Sequence, residues 1–204
     1  MKIPFCLPLI DKDVNEEVLS CLNESGWLTT GPKVKLLEDA ITELCQTHST
    51  ICVNSWTSGM LLLLRWLELE EDDEVLVPTY TYAASALAVI NSHVKCVFVD
   101  VNSDFTINID QVEKAITKNT KVIMPVDIGG FPADYISLNS LLDKESVRSK
   151  FNPRTTFQTK MGRPIIISDA AHSIGSSING IPTPLFSDFS VFSFHSVKNI
   201  TTGE

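Results

Sequence analysis

Asp169 and Lys198 lie where polar residues commonly take part in chemistry, because each follows an apolar run of the sequence. The carboxylate follows 165–167, and the amine follows 189–194. A lysine after an apolar stretch is open to partial burial, which lowers its pKa and frees the amine to act as nucleophile and base. Asp169 could pair with the ring nitrogen of a heteroaromatic cofactor. Taken singly, a solvated lysine and an aspartate that caps a helix are the commoner outcomes.

Small hydroxyl residues follow an earlier apolar run. The segment Asn54-Ser55-Trp56-Thr57-Ser58-Gly59 opens a predicted helix, and hydroxyl groups beside the free N–H groups of a helix N-terminus can cradle a phosphate. For this segment alone, an ordinary helix cap at Ser55 or Thr57 is the commoner explanation. Tyr80 and Tyr82 follow the next apolar run and could lie under a flat ring, although aromatic residues at strand ends are also common in cores.

His172 follows Asp169 by three residues and raises two further hypotheses. The pair could bind a metal ion, but no third and fourth ligands are evident, since His48 and His93 lie in segments with no such grouping. A hydrolase built on Ser, His and Asp side chains lacks the G-x-S-x-G motif that would support it. Together, the sequence offers a phosphate cradle, a ring floor, a carboxylate for a ring nitrogen and an amine for an aldehyde. That set is what pyridoxal phosphate (PLP) requires.

Helices and strands that alternate along the chain must position these residues. Amphipathic patterns predict helices over 11–23 and around Val34, Leu37, Ile41 and Leu44. Further helices are predicted at 58–69, 83–91, 110–117 and 136–142. Apolar runs of strand length lie at 51–53, 75–77, 96–99, 122–124, 165–167 and 189–194. Strands without polar alternation, separated by helices, indicate a mostly parallel sheet that is buried on both faces. We therefore predict a three-layer α/β/α fold with ligands at the carboxyl ends of the strands.

One segment, 144–163, breaks this alternation. It is polar, basic and irregular, and it is predicted to be an extended, mobile surface loop or insertion. The formal net charge of −9 argues against a nucleic-acid partner. An odd count of five cysteines without C-x-x-C spacing favours reduced thiols, as in the cytoplasm. The sequence has neither a signal-peptide pattern nor an apolar stretch long enough to span a membrane.

Three motifs agree in order and spacing with those of one enzyme family. They are Gly26-Trp27-Leu28-Thr29-Thr30-Gly31-Pro32, Ser168-Asp169-Ala170-Ala171-His172-Ser173 and Phe192-Ser193-Phe194-His195-Ser196-Val197-Lys198-Asn199-Ile200-Thr201-Thr202-Gly203-Glu204. In these motifs the chain resembles the DegT/DnrJ/EryC/StrS sugar aminotransferases, which are PLP enzymes of fold type I. Trp56 departs from the family pattern, in which a small residue is usual, and it could crowd or reshape the phosphate loop.

The resemblance implies roles for the matching residues. Lys198 would form a Schiff base with PLP and move a proton during transfer, and Asp169 would pair with the pyridinium nitrogen. His172 would hydrogen-bond near the ring hydroxyl, and Tyr82 would stack on the ring. The phosphate would be held by Thr57, Ser58 and Ser193, and the substrate would be bound by Thr29, Thr30 and His195.

The resemblance also implies an activity. An amino group, from glutamate, would pass to a nucleotide-linked keto-sugar, and the lysine motif favours a 4-keto-6-deoxy sugar. Lys198 favours transamination over sugar dehydration, because family members that dehydrate sugars have histidine in place of this lysine. Family members are typically homodimers and continue beyond Glu204, so residues 1–204 would form the N-terminal segment and most of the large domain, without the small C-terminal domain. The alternative is a non-catalytic remnant, or a binding or regulatory subunit of a full-length paralogue.

Overall fold

Five parallel strands form the central sheet of the computed structural model, which describes residues 7–25 and 29–202. The strands are β1 (Glu74–Pro78), β2 (Lys95–Val99), β3 (Thr120–Ile123), β4 (Ile165–Asp169) and β7 (Phe189–Val191). Their spatial order is β2-β1-β3-β4-β7, so that the two strands earliest in the chain lie at one side of the sheet. A separate antiparallel ribbon is formed by β5 (Ser177–Ile178) and β6 (Ile181–Pro182).

Eight α-helices lie within the described residues; the first three precede β1, and the other five provide the crossovers that the parallel strands β1 to β4 require. They are α1 (Lys12–Ser20), α2 (Pro32–Cys45), α3 (Trp56–Trp66), α4 (Ala83–Asn91), α5 (Ile109–Ala115), α6 (Tyr135–Leu142), α7 (Glu145–Arg148) and α8 (Thr156–Met161). A π-helical turn over Cys21–Ser25 extends α1. Local sequence explains several of the starts, because Asp11, Ser55 and Asn108 each accept a hydrogen bond from the backbone N–H three residues later.

The sheet is covered on both faces, which confirms the predicted three-layer α/β/α fold. Alternate residues of β1 point to opposite faces: Val75 and Val77 belong to one apolar core, and Leu76 belongs to the other. The first core contains α3 and α4, and the second contains α5 and α6. All three β1 residues are fully buried. This double burial explains why the strand sequences are continuously apolar.

A third apolar cluster lies beside the segment that leads to Lys198. Ile41 and Cys45 of α2 are buried against Ile174, and Phe192 and Phe194 pack on the same cluster. Helix α2 therefore supports both the residues after β4 and the residues after β7. In contrast, none of the residues of α1 is buried.

The predicted strand at 51–53 is wrong. These residues form no strand, and no described strand pairs with them. Ile51 is 74% exposed, and the Cys52 N–H donates to a side chain, the Glu38 carboxylate, at 2.9 Å. Apolar composition alone cannot make a strand when no neighbouring strand supplies a backbone partner. The predicted run at 189–194 is also longer than β7, which ends at Val191.

The segment 144–163, predicted to be an extended loop or an insertion, is not a loop throughout, since it contains α7 and α8. Val147 and Phe151 are buried, and Gln158 is fully buried with its amide donating to the Leu67 carbonyl at 3.1 Å. A buried polar side chain with a satisfied hydrogen bond fixes a segment in place. Polar composition therefore does not identify this segment as a loop, because a buried polar residue such as Gln158 anchors it.

No helix within residues 7–25 and 29–202 combines the length and the apolar character that crossing a bilayer requires.

Candidate functional site

The carboxyl ends of β1, β4 and β7 lie at one edge of the sheet because these strands are parallel. Asp169 is the last residue of β4 and is 4% exposed. Lys198 follows β7 in a turn whose Lys198 N–H donates to the His195 carbonyl at 2.9 Å. The topology therefore brings to one place two residues that are 29 positions apart in the sequence.

The Asp169 carboxylate is held by two hydrogen bonds. The Ser85 hydroxyl donates to Oδ2 at 2.7 Å, and the Ala171 N–H donates to Oδ1 at 3.2 Å. Burial nevertheless raises the pKa of Asp169 to about 6, because desolvation outweighs the effect of both hydrogen bonds. A carboxylate has about four acceptor positions. Asp169 can therefore accept a further donor, and a positively charged one would relieve its desolvation.

Lys198 and His172 are in direct contact. The Lys198 Nζ lies 2.7 Å from His172 Nε2, and the Gly129 N–H donates to His172 Nδ1 at 3.2 Å. Partial burial lowers the pKa of the Lys198 amine, and the negative charge of Asp169 opposes this effect. The pKa of His172 is also lowered, first by burial and then by the nearby Lys198 charge. His172 is nevertheless exposed as a whole residue, so solvent moderates both effects on its pKa.

The start of α3 lies beside the end of β7. A Cβ atom added at Gly59 would lie 3.1 Å from Val191 Cγ1, so a larger residue would require the Val191 side chain to shift. The Ser55 hydroxyl accepts from the Ser58 N–H at 3.1 Å, as an N-cap should. Thr57 and Ser58, both half-buried, occupy the first turn. Ser193 lies two residues beyond Val191, and its hydroxyl accepts from the His195 N–H at 3.4 Å.

Trp56, also at the start of α3, is buried in the apolar core on that face of the sheet. Its indole N–H has no hydrogen-bond partner in the part of the chain that the structure describes.

Tyr82 lies at the N-cap position of α4, and its side chain is 80% exposed. The same helix supplies Ser85, which binds Asp169, so the start of α4 lies next to the carboxylate. Thr81 and Ser85 are themselves linked by a hydrogen bond of 2.7 Å between their hydroxyls.

Three residues of this region were not predicted from the sequence: Ser85, Asp127 and Gly129. Asp127 is 1% exposed, and its carboxylate accepts hydrogen bonds from Ala133 N–H at 3.0 Å and from the hydroxyls of Tyr135 at 2.9 Å and Ser173 at 2.7 Å. It thereby ties the loop after β3 to the loop after β4. Asp127 lies three positions after the apolar run 122–124. A carboxylate near a strand end was the one signal that could have identified it.

Not every predicted site residue joins this cluster. Thr29 and Thr30 are exposed, and His195 is exposed beside the turn that carries Lys198. No hydrogen bond joins Thr57, Tyr82 or Ser193 to Lys198 within residues 7–25 and 29–202. Residues 26–28 of the first motif and 203–204 of the last lie outside the described residues.

The arrangement has the contacts needed by a ligand with three functional groups. A buried carboxylate can bind a protonated ring nitrogen, a partly desolvated amine can react with a carbonyl, and a helix start with hydroxyl groups can hold an anion. In the described part of the chain, no group of three or more His, Cys, Asp and Glu side chains could hold a metal ion.

Comparisons with known proteins agree with this geometry. The model of the DegT/DnrJ/EryC1/StrS aminotransferase family matches residues 8–148 and 159–204. The structure of Spr1654 from Streptococcus pneumoniae in its PLP form, assigned as a sugar aminotransferase, is 41% identical with a TM-score of 0.95, over 100% of this chain and 52% of that one. Helicobacter pylori PseC, an aminotransferase involved in the biosynthesis of pseudoaminic acid, is 29% identical with a TM-score of 0.85, over 100% of this chain and 51% of that one.

A sequence relative, the uncharacterized protein MJ1066 of Methanocaldococcus jannaschii, is 32% identical over 99% of this chain and 48% of its own length. This chain thus spans about half the length of these relatives. The family model covers nearly all of this chain, including the residues of the candidate site. The chain belongs to the DegT/DnrJ/EryC1/StrS aminotransferase family.

Proposed function

We propose that this chain carries the PLP site of an aminotransferase that moves an amino group from glutamate to a nucleotide-linked keto-sugar. The observation that carries the proposal is the placement of the Lys198 amine and the buried Asp169 carboxylate at one edge of the sheet, close enough for the charge of Asp169 to affect the pKa of Lys198. When bound, PLP would supply an electron sink for the substrate carbon that loses or gains a proton.

The residues present fit this cofactor. Asp169 would hold the ring nitrogen in its protonated form, because a cation relieves a carboxylate that burial has made unfavourable. The first turn of α3, with Thr57 and Ser58, would bind the phosphate together with Ser193, which follows β7. Tyr82 would cover a face of the ring from the start of α4, where its side chain is free to turn inward because it is exposed.

Lys198 would act twice in this function. Its amine would hold the cofactor aldehyde before the amino donor arrives, and it would then carry the proton between the reacting carbon and the cofactor. Both tasks need an amine that can lose its proton near neutral pH, and the lowered pKa of Lys198 supports this requirement. His172 would lie near the ring hydroxyl. Thr29, Thr30 and His195 would contact the sugar.

The finer features of the activity are also proposals. The names of Spr1654 and PseC support a sugar substrate, and the lysine motif supports a 4-keto-6-deoxy sugar joined to a nucleotide. Residues 1–204 would be the N-terminal segment and most of the large domain, which their coverage of about half of each relative supports. We further propose that the working enzyme is a homodimer, as is typical of the family.

The test is the addition of PLP to the purified chain beside a Lys198→Ala variant. We expect a visible absorption band that borohydride removes, with the pyridoxyl group then found on the Lys198 peptide by mass spectrometry. Addition of glutamate should change the band and release 2-oxoglutarate. A folded chain that gains no label at Lys198 would overturn the assignment of the site. Labelling without release of 2-oxoglutarate would instead leave a binding subunit.

A further inference from the structure

The two ring nitrogens of His172 have partners of different kinds. Nδ1 receives a hydrogen bond from the Gly129 backbone N–H at 3.2 Å, and Nε2 lies 2.7 Å from Lys198 Nζ. A backbone N–H can only donate. Nδ1 must therefore present its lone pair to Gly129 and cannot carry a proton.

This contact decides which group donates between His172 and Lys198. A neutral imidazole has one protonated and one unprotonated nitrogen, so an unprotonated Nδ1 places the proton on Nε2. A lysine ammonium has three donors and no acceptor. If Lys198 were an ammonium, both nitrogens of the ring would accept and the ring would have to be an imidazolate anion. With Nε2 protonated, only the lone pair of an uncharged amine can complete the 2.7 Å contact.

We infer that Gly129 and His172 together hold Lys198 as an uncharged amine before the cofactor binds. In this role His172 is a positioning residue: its ring is locked in one tautomer and offers a hydrogen bond that only the unprotonated amine can accept. The inference rests on the proposed function only in explaining why an uncharged Lys198 is useful, since an uncharged amine is the form that can attack a carbonyl. The contacts themselves do not depend on that function.

The loop that carries Gly129 is built to make this contact. Gly129 and Gly130 both have positive φ, +59° and +83°, a conformation that glycine adopts readily. A Cβ atom on Gly130 would lie 2.9 Å from the His172 carbonyl oxygen, so the loop can approach His172 closely only with glycine there. Asp127 fixes both ends of the arrangement, because its carboxylate binds Ala133 N–H in this loop and the Ser173 hydroxyl next to His172.

The charged groups around Lys198 act in opposite directions. The negative charge of Asp169 favours the ammonium, whereas partial burial of Lys198 favours the uncharged amine. Asp127 lies near Asp169 and raises its pKa, which weakens the attraction that Asp169 exerts on the ammonium. The His172 contact adds to the burial effect and favours the uncharged form.

The test compares wild type with His172→Gln in the absence of PLP. A glutamine amide can rotate and present its oxygen to an ammonium, which the locked imidazole cannot do. We therefore expect the Lys198 pKa to rise in His172→Gln and the fraction of reactive amine near neutral pH to fall by about tenfold. The readout is the pH dependence of Lys198 acetylation by a small anhydride, measured on its peptide by mass spectrometry. His48→Gln, at an exposed histidine, is the matched control and should label like wild type.

A second measurement needs only the wild-type chain. Nitrogen NMR of ¹⁵N-histidine-labelled protein, with the His172 signals assigned by their loss in His172→Gln, should show a proton on Nε2 and none on Nδ1. A proton on Nδ1, or an unchanged Lys198 pKa in His172→Gln, would overturn the inference. Because neither measurement uses PLP, failure of the chain to bind PLP would count against the proposed function alone.

Discussion

Burial of the charged Asp169 carboxylate destabilises the folded chain, and this effect can be measured without any ligand. The folded carboxyl has a pKa of about 6, above its ordinary value of 3.8, because it is buried. The folded chain therefore binds this proton more tightly than the unfolded chain does. The stability that the proton confers is complete below about pH 4 and is lost as pH rises through about 6.

We predict that the free energy of unfolding falls by about 3 kcal/mol across this range from the Asp169 carboxyl. Asp127, whose pKa burial also raises, contributes with the same sign. Asp169→Asn should make the fall shallower. Ser85→Ala should make it deeper, since loss of the Ser85 hydrogen bond raises the Asp169 pKa further. Urea unfolding at a series of pH values measures these slopes, and identical slopes in wild type and Asp169→Asn would refute the assignment.

Among the larger elements, the segment 149–158 distinguishes this chain, because the family model leaves it unmatched. Its Arg154 guanidinium contacts Glu70, binds Asp72 at 2.5 Å and approaches Asp73 at 3.2 Å. Asp73 is fully buried. Its Oδ1 lies near two cations, Arg154 and Lys121, the latter at 3.4 Å, but it accepts no well-directed hydrogen bond within the described residues. The ion pairs of Arg154 therefore hold the segment 149–158 against the loop before β1.

Arg154→Ala is predicted to lower the free energy of unfolding by more than the loss of a surface ion pair would. Loss of a partner of a buried carboxylate is costly, but Glu70 and Asp72 are mostly exposed and contribute little. Arg148→Ala is the control, because its partner Asp143 is exposed, and the change in the free energy of unfolding there should be smaller. Denaturant unfolding of both variants is the measurement. Equal losses in the free energy of unfolding would show that Arg154 stabilises the chain no more than a surface ion pair does.

The strands and the segment 144–163 show which elements could be predicted from the sequence and which could not. Continuous apolar runs predicted β1 to β4 because strands buried on both faces need them. The run at 51–53 has the same composition but no pairing strand, and composition does not report a partner. The segment 144–163 appeared to be a loop because the residues that anchor it, such as Gln158 and Arg154, are polar, and their contacts involve residues more than 80 positions away.

At the scale of the molecule, the site depends on the whole sheet. Ser85, Gly129 and Lys198 each follow a different parallel strand, and Asp169 is the last residue of a fourth. Asp169 and Lys198 could be named as site candidates because a family motif surrounds each of them. Ser85 lies within an apolar helix and Gly129 acts through its backbone N–H, so neither has a side-chain pattern that the sequence alone could link to the site.

The net charge of −9 also acts on the whole molecule, and it opposes an anionic cofactor. The start of α3 offers hydroxyl and N–H groups from Ser55 to Ser58, with no lysine or arginine among them. The local site is therefore attractive over a short range, whereas the long-range field repels PLP. Salt screens the long-range field, since the screening length at 0.1 M is about 10 Å.

We predict that the rate of PLP association rises with sodium chloride, by a factor on the order of two between low and physiological salt. Pyridoxal, which lacks the phosphate, is the matched control, and its rate should not change, because the net charge of the chain has little effect on an uncharged ligand. Stopped-flow absorbance at constant pH, in a buffer without phosphate or sulfate, measures both rates. A PLP rate that falls with salt would mean that local positive charge outweighs the net charge of the chain and guides the cofactor.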